Sequence, residues 1–212
     1  MDNKLIITIN REYGSGGRLV GQRLSEELGI PLYDRKLIEM AAQESGLSPD
    51  FIENVETRPT SSFLFNLATS AQTGSGYMLQ YDMPVGDRAF FAQSNVIRDL
   101  AAKESCVIVG RCAGYILREN PSCLNVFVYG SVEDRLNRAT SVYGVPRKDL
   151  ADRLVKIDKG RANYFKYYTG EDWYDVRAYD LAINTAVSGV EGAVKAVTYM
   201  SKHLVKTKPY RD

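Results

Sequence analysis

The sequence predicts an α/β protein, a three-layer α/β/α sandwich around a mostly parallel five-stranded sheet. Three observations lead there. Short β-branched or continuously apolar runs recur along the chain, segments of helical period separate them, and strict alternation of the two calls for right-handed crossovers and parallel strands. The 212 residues, 44% apolar and 25% charged, suit a single domain over 1–212.

The first strand is Leu5-Ile6-Ile7-Thr8-Ile9, which stops at Gly14-Ser15-Gly16-Gly17. Leu19, Leu24 and Leu28 then recur at roughly helical spacing until Gly29 ends that helix. Pro31-Leu32-Tyr33 gives a short second strand, and Asp34 is placed to cap the helical pattern of Leu37, Ile38 and Ala41. From 57 to 87 Ser, Thr, Gly and Pro cluster around a patchy apolar segment, predicting a variable insertion. Order resumes with a helix near 90–103 and the run Cys106-Val107-Ile108-Val109, apolar throughout as a strand buried on both faces must be. A helix follows Arg111, Leu124 to Val128 forms the fourth strand, and Ser131 caps a helix to about Tyr143. Pro146 opens a charged helical stretch to about Tyr167. Tyr179 to Asn184 is the last strand, before a C-terminal helix beginning near Val190.

Charge and composition narrow the function. Lys and Arg number 27 against 26 Asp and Glu, so no broad field draws the chain to nucleic-acid polymers or anionic lipid, and any anion must be gripped locally. Neither a signal peptide nor a run of about 18 apolar residues is present, so no membrane association and a cytoplasmic address are expected. Cys106, Cys112 and Cys123 show neither CxxC nor metal spacing and read as reduced thiols. His203, the only histidine, reads as a surface residue rather than a catalytic group or metal ligand.

The chemistry concentrates at the glycine loop. Backbone N–H groups and the positive end of a helix dipole converge where a strand meets a helix, which is what a polyphosphate needs; the alternative is a tight turn with no ligand. The P-loop pattern GxxxxGK[ST] also calls for a lysine and a hydroxyl, and neither is present. If Gly16 is the last motif glycine, Gly17 falls at the lysine position; if Gly17 is, Arg18 replaces the lysine and Leu19 the hydroxyl. Only the second register keeps a cation there, and an arginine fork can bind two phosphate oxygens.

Ile9-Asn10-Arg11-Glu12-Tyr13-Gly14-Ser15-Gly16-Gly17-Arg18, with Gly21, Leu24 and Leu28-Gly29, closely resembles the start of the cytidylate kinase-like proteins, a branch of the P-loop nucleoside-monophosphate kinases. The likeness continues through Leu32-Tyr33-Asp34-Arg35, Val109-Gly110-Arg111, the basic stretch Arg153 to Arg161 and Tyr179 to Thr185, sparing roughly 57–87. The resemblance implies a P-loop NTPase type of fold with a helical lid, ATP and Mg²⁺ as cofactors, and small nucleotides, CMP or dCMP above all, as partners. It places Gly14, Ser15, Gly16, Gly17 and Arg18 on the donor phosphates. It places Arg111 on the acceptor phosphate, with Asp34 and Arg35 entering from the second strand and Asp180 near the acceptor sugar. Val109 stands where the family usually has an acidic residue.

Among the cations of the 146–175 stretch, Arg153 and Arg161 are the expected lid arginines, acting with Arg18 in catalysis. Asp149, Asp152 and Asp158 interleave with them, so a solvated helix carrying i,i+4 pairs is the alternative. The aromatic residues Tyr164, Phe165, Tyr167, Tyr168, Trp173 and Tyr174 read first as packing and second as a base platform. Two rival functions stay open: a nucleotide-binding regulator with weak or no turnover, motivated by the missing lysine and hydroxyl, and a kinase for another small acceptor.

Overall fold

The computed structural model describes residues 4–55 and 84–204. The insertion expected at 57–87 lies outside the described residues up to 83. Its last residues belong to a helix, since Pro84 precedes α4.

Five strands form one sheet: β1 (Ile6–Arg11), β2 (Leu32–Tyr33), β3 (Cys106–Val109), β4 (Cys123–Tyr129) and β5 (Leu181–Asn184). Their order is β2-β3-β1-β4-β5 and every pairing is parallel, with Thr8 opposite both Ile108 and Asn125. All carboxyl ends therefore lie on one edge, where loops of an open α/β sheet build their ligand sites.

The helices are α1 (Gly17–Leu28), α2 (Arg35–Ser45), α3 (Pro49–Asn54), α4 (Val85–Lys103), α5 (Ala113–Ile116), α6 (Val132–Ser141), α7 (Leu150–Thr169) and α8 (Thr185–Lys202), with a 3₁₀ turn at Val176–Ala178. They cover both faces. On one, Ile7 and Ile9 of β1 pack with Val20 and Leu24 of α1 and Val194 and Val197 of α8. On the other, Ile6 and Ile108 pack with Leu37 and Ile38 of α2, Ile97 and Leu100 of α4, and Phe165 of α7. Strand alternation explains the division: successive residues of β1 point to opposite faces, and both are buried.

Local chemistry sets the boundaries. Gly29 closes α1 in the left-handed conformation, φ 64°, and Ser131 caps α6 by accepting the N–H of Asp134. Four expectations need adjusting. The stretch expected to open at Pro146 becomes helical only at Leu150 and is then a single 20-residue helix. The last strand begins at Leu181, because Tyr179 and Asp180 follow the 3₁₀ turn. The C-terminal helix starts at Thr185 and is interrupted at Gly189 (φ 64°, ψ 176°), so its regular part does begin near Val190. Helix α3, absent from the sequence reading, is set by Ser48 accepting from Phe51 N–H, with Pro49 at the first helical position.

Of the aromatic residues after the basic stretch, Tyr164, Phe165 and Trp173 are buried in packing and Tyr174 is half-exposed. Trp173 meets Phe127 edge-on at 5.2 Å, Tyr168 stacks on Phe90 at 4.0 Å, and the Tyr179 hydroxyl donates to the Trp173 carbonyl. The three cysteines are free and buried, and His203 is exposed, its ring stacked on Tyr199. No helix among the described residues is long and apolar enough to cross a membrane.

Candidate phosphate-binding cleft

A cleft of about 540 Å³ opens at the carboxyl edge of the sheet. One wall is the glycine loop and the start of α1, contributing Gly14, Gly16, Gly17 and Arg18; another is Asp34, Arg35 and Ile38 of α2 with Glu53 at the end of α3. Arg111 closes its β3 side, Tyr143 and Val145 come from the α6–α7 connection, and Arg161 from α7. Gly16 and Arg111 thus share one cavity.

The loop's geometry follows from how its carbonyls are satisfied. The Arg11 carbonyl accepts from Arg161 (3.2 Å), Glu12 from the Ser15 hydroxyl (2.9 Å), Tyr13 from Arg135 Nε (2.8 Å), Gly14 from Arg138 (2.9 Å) and Ser15 from Thr185 Oγ1 (2.6 Å). Four of these five consecutive acceptors are engaged by donors of the surrounding protein and one by the loop's own Ser15. The first-turn N–H groups of Gly17, Arg18 and Leu19 have no intrahelical acceptor, so the loop offers donors and a helix-dipole end to the cleft. Gly14 and Gly16 hold left-handed φ values of 79° and 85°, and a Cβ on Gly14 would lie 2.6 Å from the Arg135 carbonyl oxygen.

Behind the loop lies an ionic network that sequence reading did not single out. Arg135 reaches Glu12 (3.2 Å) and Asp158, and Asp158 accepts the Tyr13 N–H at 2.8 Å. Glu12 also accepts the Gly130 N–H at 3.1 Å. Burial holds the Glu12 carboxyl above the usual carboxylate range, against the opposing pull of the Arg135 guanidinium. Burial likewise raises the Tyr143 phenol. Asp158 was expected among i,i+4 surface pairs, but it is buried and its main partner comes from α6, 23 residues away. Leu150 and Leu154, at four-residue spacing before Asp158, and the aromatic pair Tyr164-Phe165 are the signals on the same helix of which face turns inward.

The predicted site residues divide. Gly14, Gly16, Gly17, Arg18, Asp34, Arg35, Arg111 and Arg161 line the cleft together. Ser15 is fully buried, its hydroxyl turned back onto the Glu12 carbonyl. Arg153 is exposed on α7 and does not border the cleft, because the inward face there carries Leu150, Leu154 and Asp158. Asp180 is also outside: it clasps β4, its carboxylate accepting the Asn125 N–H and its own N–H donating to the Asn125 carbonyl, both at 2.8 Å.

Two further placements revise the sequence reading. Asp34 stands at the N-cap of α2 without making a capping bond; its carboxylate pairs with Arg18 at 2.8 Å. Helix α1 starts at Gly17, with Gly16 as its N-cap in the left-handed conformation. Arg18 is one residue further along, with its guanidinium on Asp34. Arg111, in a left-handed backbone conformation, donates to the carbonyls of Ile52 (2.5 Å) and Glu53 (3.3 Å) at the end of α3.

Comparison with known proteins agrees with this architecture. A cytidylate kinase of Pyrococcus horikoshii is 24% identical over 206 residues, 95% of this chain and 91% of that enzyme. The crystal structure of an uncharacterized protein from Eubacterium ventriosum, 29% identical, superposes with a TM-score of 0.69 over 94% of this chain and 99% of that one. Shikimate kinase of Bacteroides thetaiotaomicron, 14% identical, shares the fold alone, with a TM-score of 0.51 over 93% and 98% of the two chains. The sheet order, the glycine loop on its carboxyl edge and these likenesses establish a P-loop kinase fold. The sequence model of the cytidylate kinase-like family matches residues 6–187, and the chain belongs to that family.

Proposed function

We propose that the chain transfers the γ-phosphoryl group of ATP to the phosphate of a nucleoside monophosphate, CMP or dCMP, in the cytoplasm. The observation that carries this reading is the shared cleft: the glycine loop, Arg35 and Arg111 border one cavity of about 540 Å³. An acceptor phosphate oxygen attacks the γ-phosphorus in line, the bond to the β–γ bridging oxygen breaks, and ADP and a nucleoside diphosphate leave. Such a reaction needs positioning and charge neutralisation more than covalent help.

In this scheme the amides of Gly14, Gly16 and Gly17 hold the donor phosphates. Arg35 and Arg111 hold the acceptor phosphate. Asp34 and Arg18 tie the two walls together, and Arg161 covers the equatorial oxygens of the transferring group. The residues do not fit a resident Mg²⁺: no acidic or histidine cluster suited to a metal occurs among the described residues, and the Ser15 hydroxyl is committed to the loop. Mg²⁺ enters instead as part of the nucleotide substrate, bound by phosphate oxygens and water.

Coupled ADP-release measurements with ATP, Mg²⁺ and a panel of nucleoside monophosphates test the proposal. Turnover highest with CMP or dCMP supports it. Tight ATP binding without turnover would favour the regulator, for which the missing lysine and hydroxyl are the motive, and turnover only with non-nucleotide acceptors would reassign the substrate.

A further inference from the structure

A P-loop without its lysine lacks the cation that meets the outer phosphates of the donor, and the end of β1 brings another cation to the loop. Along β1, Ile7 and Ile9 face α1, and by strand alternation so does Arg11. A Cβ built on Gly17 would lie 2.5 Å from Arg11 Cβ, 3.1 Å from Arg11 Cγ and 3.4 Å from Val128 Cβ. The stem of Arg11 therefore lies across the first residue of α1, in the space a side chain at position 17 would need. Arg11 lines the cleft beside Gly16 and Gly17, and its own carbonyl is fixed by Arg161 at 3.2 Å.

The geometry points to Arg11 as the donor-phosphate cation of this site, supplied from the end of β1 in place of the lysine of α1. Gly17 is glycine because Arg11 occupies its side-chain volume; a lysine at 17 and an arginine at 11 exclude one another. The inference rests on the phosphotransferase reading above and assigns one of its catalytic groups. It also explains how a loop lacking the lysine keeps a positive charge, a role that the sequence alone offered to Arg18. Arg18, which also borders the cleft, pairs with Asp34 at 2.8 Å.

The test is a charge transplant. Arg11→Met keeps the stem and removes the charge, Arg11→Lys keeps the charge, Gly17→Lys adds the lysine against the clash, and Arg11→Gly/Gly17→Lys moves the cation to the helix. Each is assayed for kcat, for KM of ATP and of CMP, for ATP affinity by calorimetry without acceptor, and for folding by circular dichroism. Arg11→Met is expected to lose about 100-fold or more in kcat, as removal of comparable transition-state donors does, with KM for CMP unchanged and a wild-type fold. Arg11→Lys should recover part of the loss. Gly17→Lys alone should be strongly impaired, and the double variant should exceed Arg11→Gly alone by at least about tenfold.

A folded Arg11→Met enzyme within about threefold of wild-type kcat overturns the inference and leaves the kinase reading standing. So does a double variant no better than Arg11→Gly. Failure of the wild-type protein to bind ATP overturns both.

Discussion

Replacing Arg135 by Met would strand two carboxylates behind the glycine loop. Arg135, Glu12 and Asp158 have side-chain exposures of 8%, 13% and 6%, and the guanidinium is shared between the two acids and the Tyr13 carbonyl. Removing one partner of a buried ion pair costs about 3–5 kcal/mol, because the remaining charge stays buried without compensation. The lower end applies here, since Glu12 borders the cleft and water reaches it. About 3 kcal/mol corresponds to a fall in Tm of roughly 6–12 °C for a chain of this size. Thermal melts followed by circular dichroism read the shift. The triple variant Glu12→Gln/Arg135→Met/Asp158→Asn, which removes the charges together, should regain most of the loss, because replacing a whole buried ion set is often close to neutral. An Arg135→Met protein melting within about 2 °C of wild type would refute the claim that this network supports the loop. A triple variant no more stable than Arg135→Met would trace the loss to packing and refute the stranded-charge account.

The raised pKa of Glu12 has the opposite sign from that of a typical paired carboxylate. The folded protein holds the proton to higher pH than the unfolded chain, so this residue's contribution to stability falls as pH rises from the ordinary value of 4.5 through the raised one. Wild type should therefore lose stability relative to Glu12→Gln over that window, and a difference independent of pH between the two would contradict the assignment. Arg161→Met should lower kcat by about 100-fold, whereas Arg153→Ala, exposed and outside the cleft, should stay within about twofold of wild type in steady-state assays. Equal losses in the two variants would mean that α7 acts through its overall charge.

The fold was legible because its signals are local. Cys106 to Val109 is apolar on both faces, Gly29 and Ser131 mark helix ends, and strand–helix alternation dictates a parallel sheet. The positions of Gly14, Arg35 and Arg111 on a common edge followed from that topology. What escaped depends on partners distant in sequence. Asp158 has the spacing of a surface pair and is buried because Arg135 reaches it from another helix. Asp34 has the identity of a helix cap, and Arg18 draws its carboxylate elsewhere. Arg153 and Arg161 are equivalent in residue type, and only the rotation of α7 turns one to the cleft and the other to solvent. The left-handed backbone of Gly16 and the contact of Arg11 with Gly17 shape the start of α1, and neither is encoded in a motif. The Ser48-Pro49 start of α3, by contrast, is a local cap signal of the same readable kind.

The central claim is that two phosphorylated molecules lie end to end in one cavity between the glycine loop and Arg111. Calorimetric titration with adenosine and cytidine joined 5′ to 5′ through a pentaphosphate measures this directly. The account predicts one molecule bound per chain, about 100-fold or more tighter than ATP alone, and displaced by either ATP or CMP. Affinity no greater than that of ATP, or no displacement by CMP, would contradict it.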